Sequence, residues 1–451
     1  MIAVLGARLV VTDLAYLLRS GRIMLDSHAV LRVDVFTYTI YGQPWLNQQW
    51  GASVLLSAWY APFGWRGLIV LQAAIVGACF GATYRCCVSR GASKPVSAVA
   101  TLICFAVVAT LPGALALRPQ LFAQPLFVCS AWILRERATH ARRLLFLPLI
   151  GIAWANLHGS FIMLPALVGI AFAADLYGRR AIARWTGVLL VVTLLTPLAS
   201  PWGPAIYGYV WDLSRSPVAR QIITEWQPVL TRVPAGGLFL CAMALFAVMA
   251  VRYGRRRTTL EEALTVLFFT SLVLWSGRSV LWWAVAIPPV FAGLVAGWRP
   301  GEAWSRGLTR LVAVGLILTV ALGLGRVATQ PVDALRAEAP PGITAWLQTH
   351  TDRPGRVLAE RWGGWFDFAV PEQPMFVDSR VVVFPDRVWG EFLTVVNAQP
   401  GWSDILDRWR IDTVVVASGH HPELIEALSS NGWTLAYQDG DGSIYTRLLS
   451  A

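Results

Sequence analysis

Hydrophobic residues in this chain fall in long blocks separated by short polar stretches. Apolar runs of helical type lie near residues 66–84, 96–117, 121–134, 144–155, 161–177, 186–200, 236–251, 261–276, 280–297 and 311–327. Several are shorter than the roughly 20 residues that cross a bilayer, so each predicts a span only by extending into its flanks. A further run, "MIAVLGARLVV", opens the chain. It is too short to cross and lacks the cationic start of a signal peptide, so the first helix reads as truncated. The pattern predicts a polytopic α-helical membrane protein of about eleven transmembrane helices.

Beyond Gln330 the pattern changes. "RVLAE" (356–360), "PMFVD" (374–378), "TVVVA" (413–417), "WTLAYQD" (433–439) and "SIYTR" (443–447) read as strands. "PGITAWLQTH" (341–350), "VWGEFLTVV" (388–396), "GWSDILDRW" (401–409) and "PELIEALSSNG" (422–432) read as helices. Alternation of this kind predicts a sheet with packed helices. Charge changes at the same place. Residues 1–330 carry ten acidic and 28 basic residues, and residues 331–451 carry sixteen acidic and nine basic. The expected domains are therefore a transmembrane part, 1–330, with an outer loop at 13–50, and a soluble α/β part, 331–451.

The basic residues also set an orientation. "YRCCVSRGASK" (84–94), "RERATHARR" (135–143), "GRRAIAR" (178–184), "RYGRRR" (252–257) and "RPGEAWSRGLTR" (299–310) are all cationic. Counting helices puts all five on one side, which the positive-inside rule makes the cytoplasm. The α/β part is then extracytoplasmic, and the expected location is a bacterial inner membrane. Scattered in short loops, this charge forms no stripe of the kind that tracks nucleic acid, so nucleic acid is excluded as a partner.

Only 14% of the residues are charged, against about 25% in soluble domains. The six cysteines, Cys79, Cys86, Cys87, Cys104, Cys129 and Cys241, lie in or beside apolar runs with no metal-ligand spacing. They read as core or lipid-facing. Broken inverted halves of the transporter kind are not evident. Carboxylates for a proton relay are scarce: Asp175 adjoins a basic loop, and Glu261 and Glu262 begin a helix on the cytoplasmic side.

The polar residues on the other face carry the candidate chemistry. Asp13, Asp34, Arg118, Asn156, His158, Glu225 and Arg278 come from separate segments, and polar groups at membrane depth usually face a cavity. Asp13 and Asp34 offer a general base toward a hydroxyl, or ligands for a divalent cation beside phosphate. The structural alternative is an N-cap or a solvated loop acid. Arg118 in "LRPQLF" and Arg278 in "WSGRSVLWW" offer planar forks matched to phosphate, against snorkelling to headgroups. Asn156 and His158 in "WANLHGSF" offer a base or a phosphate donor, against a turn bonding its own backbone. Glu225 beside Trp226 suits a sugar, against an interfacial tryptophan. Asp378 and Arg380 in "FVDSR" sit at an expected strand end, where α/β ligand sites lie, against a local salt bridge.

Taken together, "DVFTYT", "GQPWLNQQW", "RPQLF", "WANLHGSF", "EWQP", "GRSVLWWAVAIPP" and "GGWFDFAVPEQPMFVDSR", with Asp13 and Arg19-x-Gly21, resemble the GT-C superfamily of membrane glycosyltransferases. The resemblance is closest to its uncharacterised bacterial members. It implies a polyprenyl-phosphate sugar as donor and an envelope glycan, lipid or protein as acceptor on the outer face. The acid of the first outer loop, catalytic base or metal ligand in such enzymes, maps onto Asp13 or Asp34. Arg118, Asn156, His158, Glu225, Trp226 and Arg278, with Trp45 and Trp50, become the substrate-binding set. The sequence departs from the pattern at Gln48-Gln49, where His-Glu is expected. The alternative is a lipid-linked-sugar flippase or envelope assembly scaffold without chemistry.

Overall fold

The computed structural model describes residues 5–215, 224–254, 258–299, 302–350 and 355–447. It is mostly helical, with one two-stranded and one four-stranded sheet among the described residues. The chain forms two compact units, one of residues 1–7 and 65–330, the other of residues 8–64 and 331–451. The division at Gln330–Pro331 coincides with the change in charge. The loop 13–50, expected with the transmembrane part, packs instead with the C-terminal part. Contacts with residues 331–451 hold it there: Thr39 donates to the Phe376 carbonyl at 2.7 Å, the Tyr38 N–H to the Met375 carbonyl at 3.2 Å, and Arg380 to Asp34. The boundary between the units falls in the helix Trp50–Ser89 at Gly64, whose backbone (φ 56°, ψ −158°) leaves the helical region. Such a conformation is open chiefly to glycine.

Among the described residues, four helical stretches are long and apolar enough to cross a membrane: Trp50–Ser89, which the break at Gly64 divides between the two units, and, in the first unit, Gly159–Tyr177, Ala235–Tyr253 and Gly277–Leu294. Lys94–Ala109, Ala183–Ala199 and Val314–Thr329 are shorter apolar helices. Local signals set their starts. Pro119 begins Pro119–Arg135 behind an extended Arg118, where a missing N–H costs nothing. Thr259 opens Leu260–Trp275 with a reciprocal capping box to Glu262. The interior is aromatic: Phe127 meets Phe269 and Trp282 at centroid distances of 5.4 and 5.3 Å, and Trp154 is fully buried beside them.

The basic loops meet at one end of this unit. Arg137 donates to both oxygens of Asp175 at 2.8 Å and to Glu261 at 2.7 Å, and Arg180 also reaches Asp175. Arg90 pairs with Glu262, and Arg299 donates to the carbonyl of Gly91. The few acids of the first unit thus cross-link the cationic loops. Of those loops, residues 255–257 and 300–301 lie outside the described residues, as does the stretch 216–223 of the long loop 201–235.

The second unit carries the sheets. β1 (Leu9–Val10) pairs in parallel with β2 (Arg336–Ala337). β3 (Arg356–Ala359), β4 (Ile411–Ala417), β5 (Thr434–Gln438) and β6 (Gly442–Thr446) form a sheet of order β3-β4-β6-β5. Its β3 and β4 run parallel, and β6 is antiparallel to both its neighbours. The helices Pro341–Thr349, Asp386–Val396, Trp402–Arg408 and Pro422–Ser430 match the apolar patterning.

Two stretches of strand-like composition do not extend into strands. "VFTYT" forms no strand, because the Asp34 carboxylate accepts the Thr37 N–H at 3.0 Å and closes a turn. Residues 374–378 form only single bridges, Met375 to Thr37 and to Val357. The helix Gly363–Ala369 is not legible as one in the sequence. Its two glycines oppose helix by propensity, but a Cβ on Gly364 would stand 2.4 Å from the Thr12 carbonyl oxygen. Close packing against the helix Thr12–Ser27 overrides propensity there.

Candidate functional site

In the first unit, helix connectivity brings three polar turns to the end opposite the cross-linked basic loops. Arg118 precedes Pro119–Arg135, His158 follows Phe146–Leu157, and Arg278 lies in the 3-10 turn Gly277–Ser279. The segment Thr224–Trp226 joins them through Gly277 N–H donating to the Gln227 carbonyl at 2.8 Å.

Side chains then connect across these turns. Arg118 Nη1 donates to Glu225 Oε1 at 2.5 Å, with both side chains about one-fifth exposed. The contact needs the nearby Gly113, in the left-handed region at φ 75°, where a Cβ would stand 2.6 Å from Glu225 Oε1. Arg278 Nε donates to Gln120 Oε1. Glu225 thus engages the Arg118 guanidinium, and Gln120 engages that of Arg278.

His158 is positioned by a relay. Trp154 Nε1 donates to Ser160 Oγ at 3.0 Å, and Ser160 offers its N–H at 3.1 Å and its hydroxyl at 2.8 Å to His158 Nδ1. With Nδ1 the acceptor, the proton lies on Nε2, which is a donor. Burial, and then the charge of Arg278, push this imidazole well below its usual range, so it is neutral. Tyr209 feels the same surroundings: burial raises its phenol to about 12, and Arg278 opposes that rise. The Asn156 amide N–H donates back to Ile152 O at 2.8 Å on its own helix. Trp226 joins through its place beside Glu225, and its indole Nε1 is buried with no hydrogen-bond acceptor among the described residues.

Asp13, Asp34, Trp45 and Trp50 belong to the second unit. Asp13 lies in the first turn of Thr12–Ser27 and is partly exposed. Trp50 begins the helix Trp50–Ser89. Asp34 is fully buried. Its Oδ1 accepts from Arg380, and its Oδ2 accepts the Thr37 N–H and hydroxyl at 3.0 and 2.9 Å. Arg380 also chelates Asp378 through Nε at 3.0 and 2.8 Å. Phe36 and Trp45 lie over its guanidinium at 4.7 and 4.6 Å. The Asp378–Arg380 salt bridge is therefore present, and it is part of a larger buried cluster. A cation or a substrate hydroxyl reaching Asp34 would have to displace Arg380 or open the Thr37 turn.

Asp367 completes the cluster. Burial, and next the carboxylate of Asp378, hold it well above the usual carboxylate range. Burial and the neighbouring carboxylate thus favour its protonated form over its anion. Arg19 caps this region from Thr12–Ser27, donating to Asp367 O at 2.6 Å. Sequence reasoning missed Gln120, Ser160, Tyr209 and Asp367. Gln120 and Asp367 lie inside motifs that stand out in the sequence, two residues from Arg118 and eleven from Asp378, but only the fold shows which charge each one serves.

No protein-family model matches the chain, and no curated protein matches it in sequence. Among solved structures it is similar to the oligosaccharyltransferase of Archaeoglobus fulgidus in the apo form. The TM-score is 0.56 at 13% identity, over 97% of this chain and 71% of that one. It is likewise similar to the archaeal oligosaccharyltransferase AglB of the same organism in complex with an inhibitory peptide and a dolichol-phosphate. There the TM-score is 0.54 at 13% identity, over 97% and 70% of the two chains. The chain therefore shares the fold of these archaeal oligosaccharyltransferase structures.

Proposed function

We propose that this protein is a multi-pass membrane glycosyltransferase that moves a sugar from a polyprenyl-phosphate carrier to an acceptor of the cell envelope. The observation that carries this reading is the gathering of Arg118, Arg278 and the Nε2–H of His158 at one end of a helical unit. These are three cationic or donor groups of the kind a departing lipid phosphate needs. A phosphate leaving group requires little protonation but does require its charge to be stabilised where it develops. Arg278, whose Nε is fixed by Gln120 and whose charge acts on His158, is the principal phosphate contact. Arg118 shares its charge with Glu225, which with Trp226 suits the hydroxyl face of a sugar. The dolichol-phosphate bound by AglB is a carrier of this chemical type and supports the reading.

On the acceptor side, Asp13 is the acid that accepts or orients the hydroxyl, because it is partly exposed. Asp34 is a positioning residue: through Arg380 it fixes the loop that follows the helix Thr12–Ser27. The basic loops face the cytoplasm of a bacterial inner membrane in this reading, about eleven helices span it, and the α/β domain lies outside.

The test is donor turnover. The chain is reconstituted in lipid nanodiscs, supplied with a panel of polyprenyl-phosphate sugars and an envelope extract, and assayed for released polyprenyl phosphate. Release that falls in Arg278→Gln and in Asp13→Asn supports the assignment. Donor binding without release from any sugar would overturn it in favour of a carrier or scaffold.

A further inference from the structure

Outside the arrangement above, the second unit holds one group of side chains that none of this chemistry uses. Glu360 immediately follows β3, and its N–H continues the ladder to the Val415 carbonyl of β4 at 2.9 Å. His420 and His421 immediately follow the turn at the end of β4. Both therefore stand at the carboxyl ends of two adjacent parallel strands, where open α/β sheets place their ligands. The turn that presents the histidines is tightly wound, with Gly419 at φ 74° and His421 at φ 45°. His421 occupies the N-cap of the helix Pro422–Ser430, yet its side chain makes no cap hydrogen bond. It is turned to Glu360 instead.

We propose that Glu360, His420 and His421 form a divalent transition-metal site, of the kind zinc occupies with two imidazoles and one carboxylate. Glu360 Oε1 lies 3.4 Å from His420 Nδ1 and 3.5 Å from His421 Nε2. The three donor atoms all lie within 4.8 Å of one another. An ion bound tetrahedrally at about 2.0–2.1 Å separates its donors by about 3.4 Å, so little movement is needed to admit it. The carboxylate is already fixed: its side chain is only 7% exposed, and Oε2 accepts the Ala417 N–H at 3.3 Å. The imidazoles are 42% and 26% exposed, which leaves an entry path. Two nitrogens and one oxygen favour zinc and its neighbours over magnesium or calcium, which take oxygen ligands.

The surroundings suit a fourth, exchangeable ligand. His420 also lines a cavity of about 420 Å³, with Arg8, Arg336, Arg361, Glu338 and Asp441 on its walls. Arg361 opposes the ion in one respect. Its Nη1 stands 3.2 Å from His420 Nε2, so Nε2 accepts and the proton sits on Nδ1, the nitrogen the metal needs. Binding requires the other tautomer, whose Nε2–H faces the guanidinium. Arg361, itself 41% exposed, must swing aside.

The test uses the full chain in nanodiscs with its affinity tag removed. Cobalt(II) is titrated as the spectroscopic probe, and zinc content is measured after dialysis. One equivalent of cobalt with the visible absorption of a tetrahedral site is expected, competed by zinc. His421→Gln and Glu360→Gln are each expected to weaken binding by more than about 100-fold, beyond the loss of an outer-shell partner. Arg361→Ala is expected to tighten it several-fold. Thermal unfolding without metal checks that each variant folds, and zinc should raise the midpoint of wild type but not of His421→Gln. Absence of tetrahedral cobalt bands, or equal binding in folded His421→Gln, would overturn the site and leave two imidazoles hydrogen-bonded to Glu360.

Discussion

Arg380 donates a hydrogen bond to Asp34 across 346 residues of sequence, with both side chains buried. The pair ties the N-terminal loop to the C-terminal domain, and the two partners are not equivalent. Removing Asp34 leaves Arg380 still paired with Asp378. Removing Arg380 leaves two carboxylates buried without their cation. Breaking a buried pair by deleting one partner costs about 3–5 kcal/mol. Arg380→Met is therefore expected to lie near the top of that range and Asp34→Asn well below it. The order of their thermal midpoints, by intrinsic fluorescence in detergent, checks this. Equal midpoints would mean that the three-residue ion cluster is not the unit of stability.

Asp367 gives a prediction with a sign in pH. Its carboxyl is held well above the usual range by burial and by Asp378. Below about pH 4, the ordinary value, it is protonated folded and unfolded and contributes nothing. As pH rises above that value the unfolded chain ionises and the folded chain does not, so the residue costs stability until its folded pKa is passed. An asparagine in its place would keep a donor toward Asp378 and carry no proton to lose. Asp367→Asn is expected to match wild type in mild acid and to exceed it increasingly toward neutrality. Denaturation midpoints across that range decide. A deficit in the variant that does not change with pH would show that Asp367 acts as an anion.

How far the sequence reached can be judged from particular residues. Most of the C-terminal strands were legible because short β-branched runs such as "TVVVA", buried throughout and followed by a Ser-Gly turn, read as buried strands. The helices were legible because apolar blocks have few other uses. Asp34 was legible as unusual, since a carboxylate in an aromatic loop needs a reason. Its partner was not, because Arg380 lies in another domain by sequence and period carries no information about contacts between distant segments. The same limit hid the relay from Trp154 through Ser160 to His158. Glu360 and the pair His420-His421 were missed for a related reason. Each looked ordinary alone, and only the parallel pairing of β3 with β4 brings their strand ends together.

Among the arginines, Arg278 and Arg118 should separate in kinetics. Arg278 is held by Gln120, a neutral amide, whereas Arg118 is engaged by the Glu225 carboxylate. If Arg278 meets charge that grows on the leaving phosphate, Arg278→Gln should lower kcat by about 10²–10³-fold with little change in KM. Arg118→Gln should act more on KM, through Glu225 and the bound sugar. Lysine at position 278 should rescue only partly, because the planar fork toward both amide and phosphate is lost. Steady-state release of polyprenyl phosphate measures all three. Identical losses in kcat and KM for both arginines would remove the distinction.

Gly364 tests whether packing between the helices Thr12–Ser27 and Gly363–Ala369 positions Asp13. A Cβ at Gly364 would stand 2.4 Å from the Thr12 carbonyl oxygen and 2.7 Å from Ser379 Oγ, so the helix bearing Asp13 must move. Overpacking of this kind costs about 1–3 kcal/mol. Gly390 is the control, since it lies within the helix Asp386–Val396 and a Cβ there would meet nothing within 4 Å. At that position alanine should add stability, by up to about 1 kcal/mol through helix propensity. Gly364→Ala should lower both the unfolding midpoint and the turnover of molecules that remain folded. Gly390→Ala should raise the midpoint and leave turnover unchanged. If Gly364→Ala loses stability but keeps full turnover per folded molecule, the position of Asp13 does not matter to the reaction, and the acceptor-side acid must be sought elsewhere.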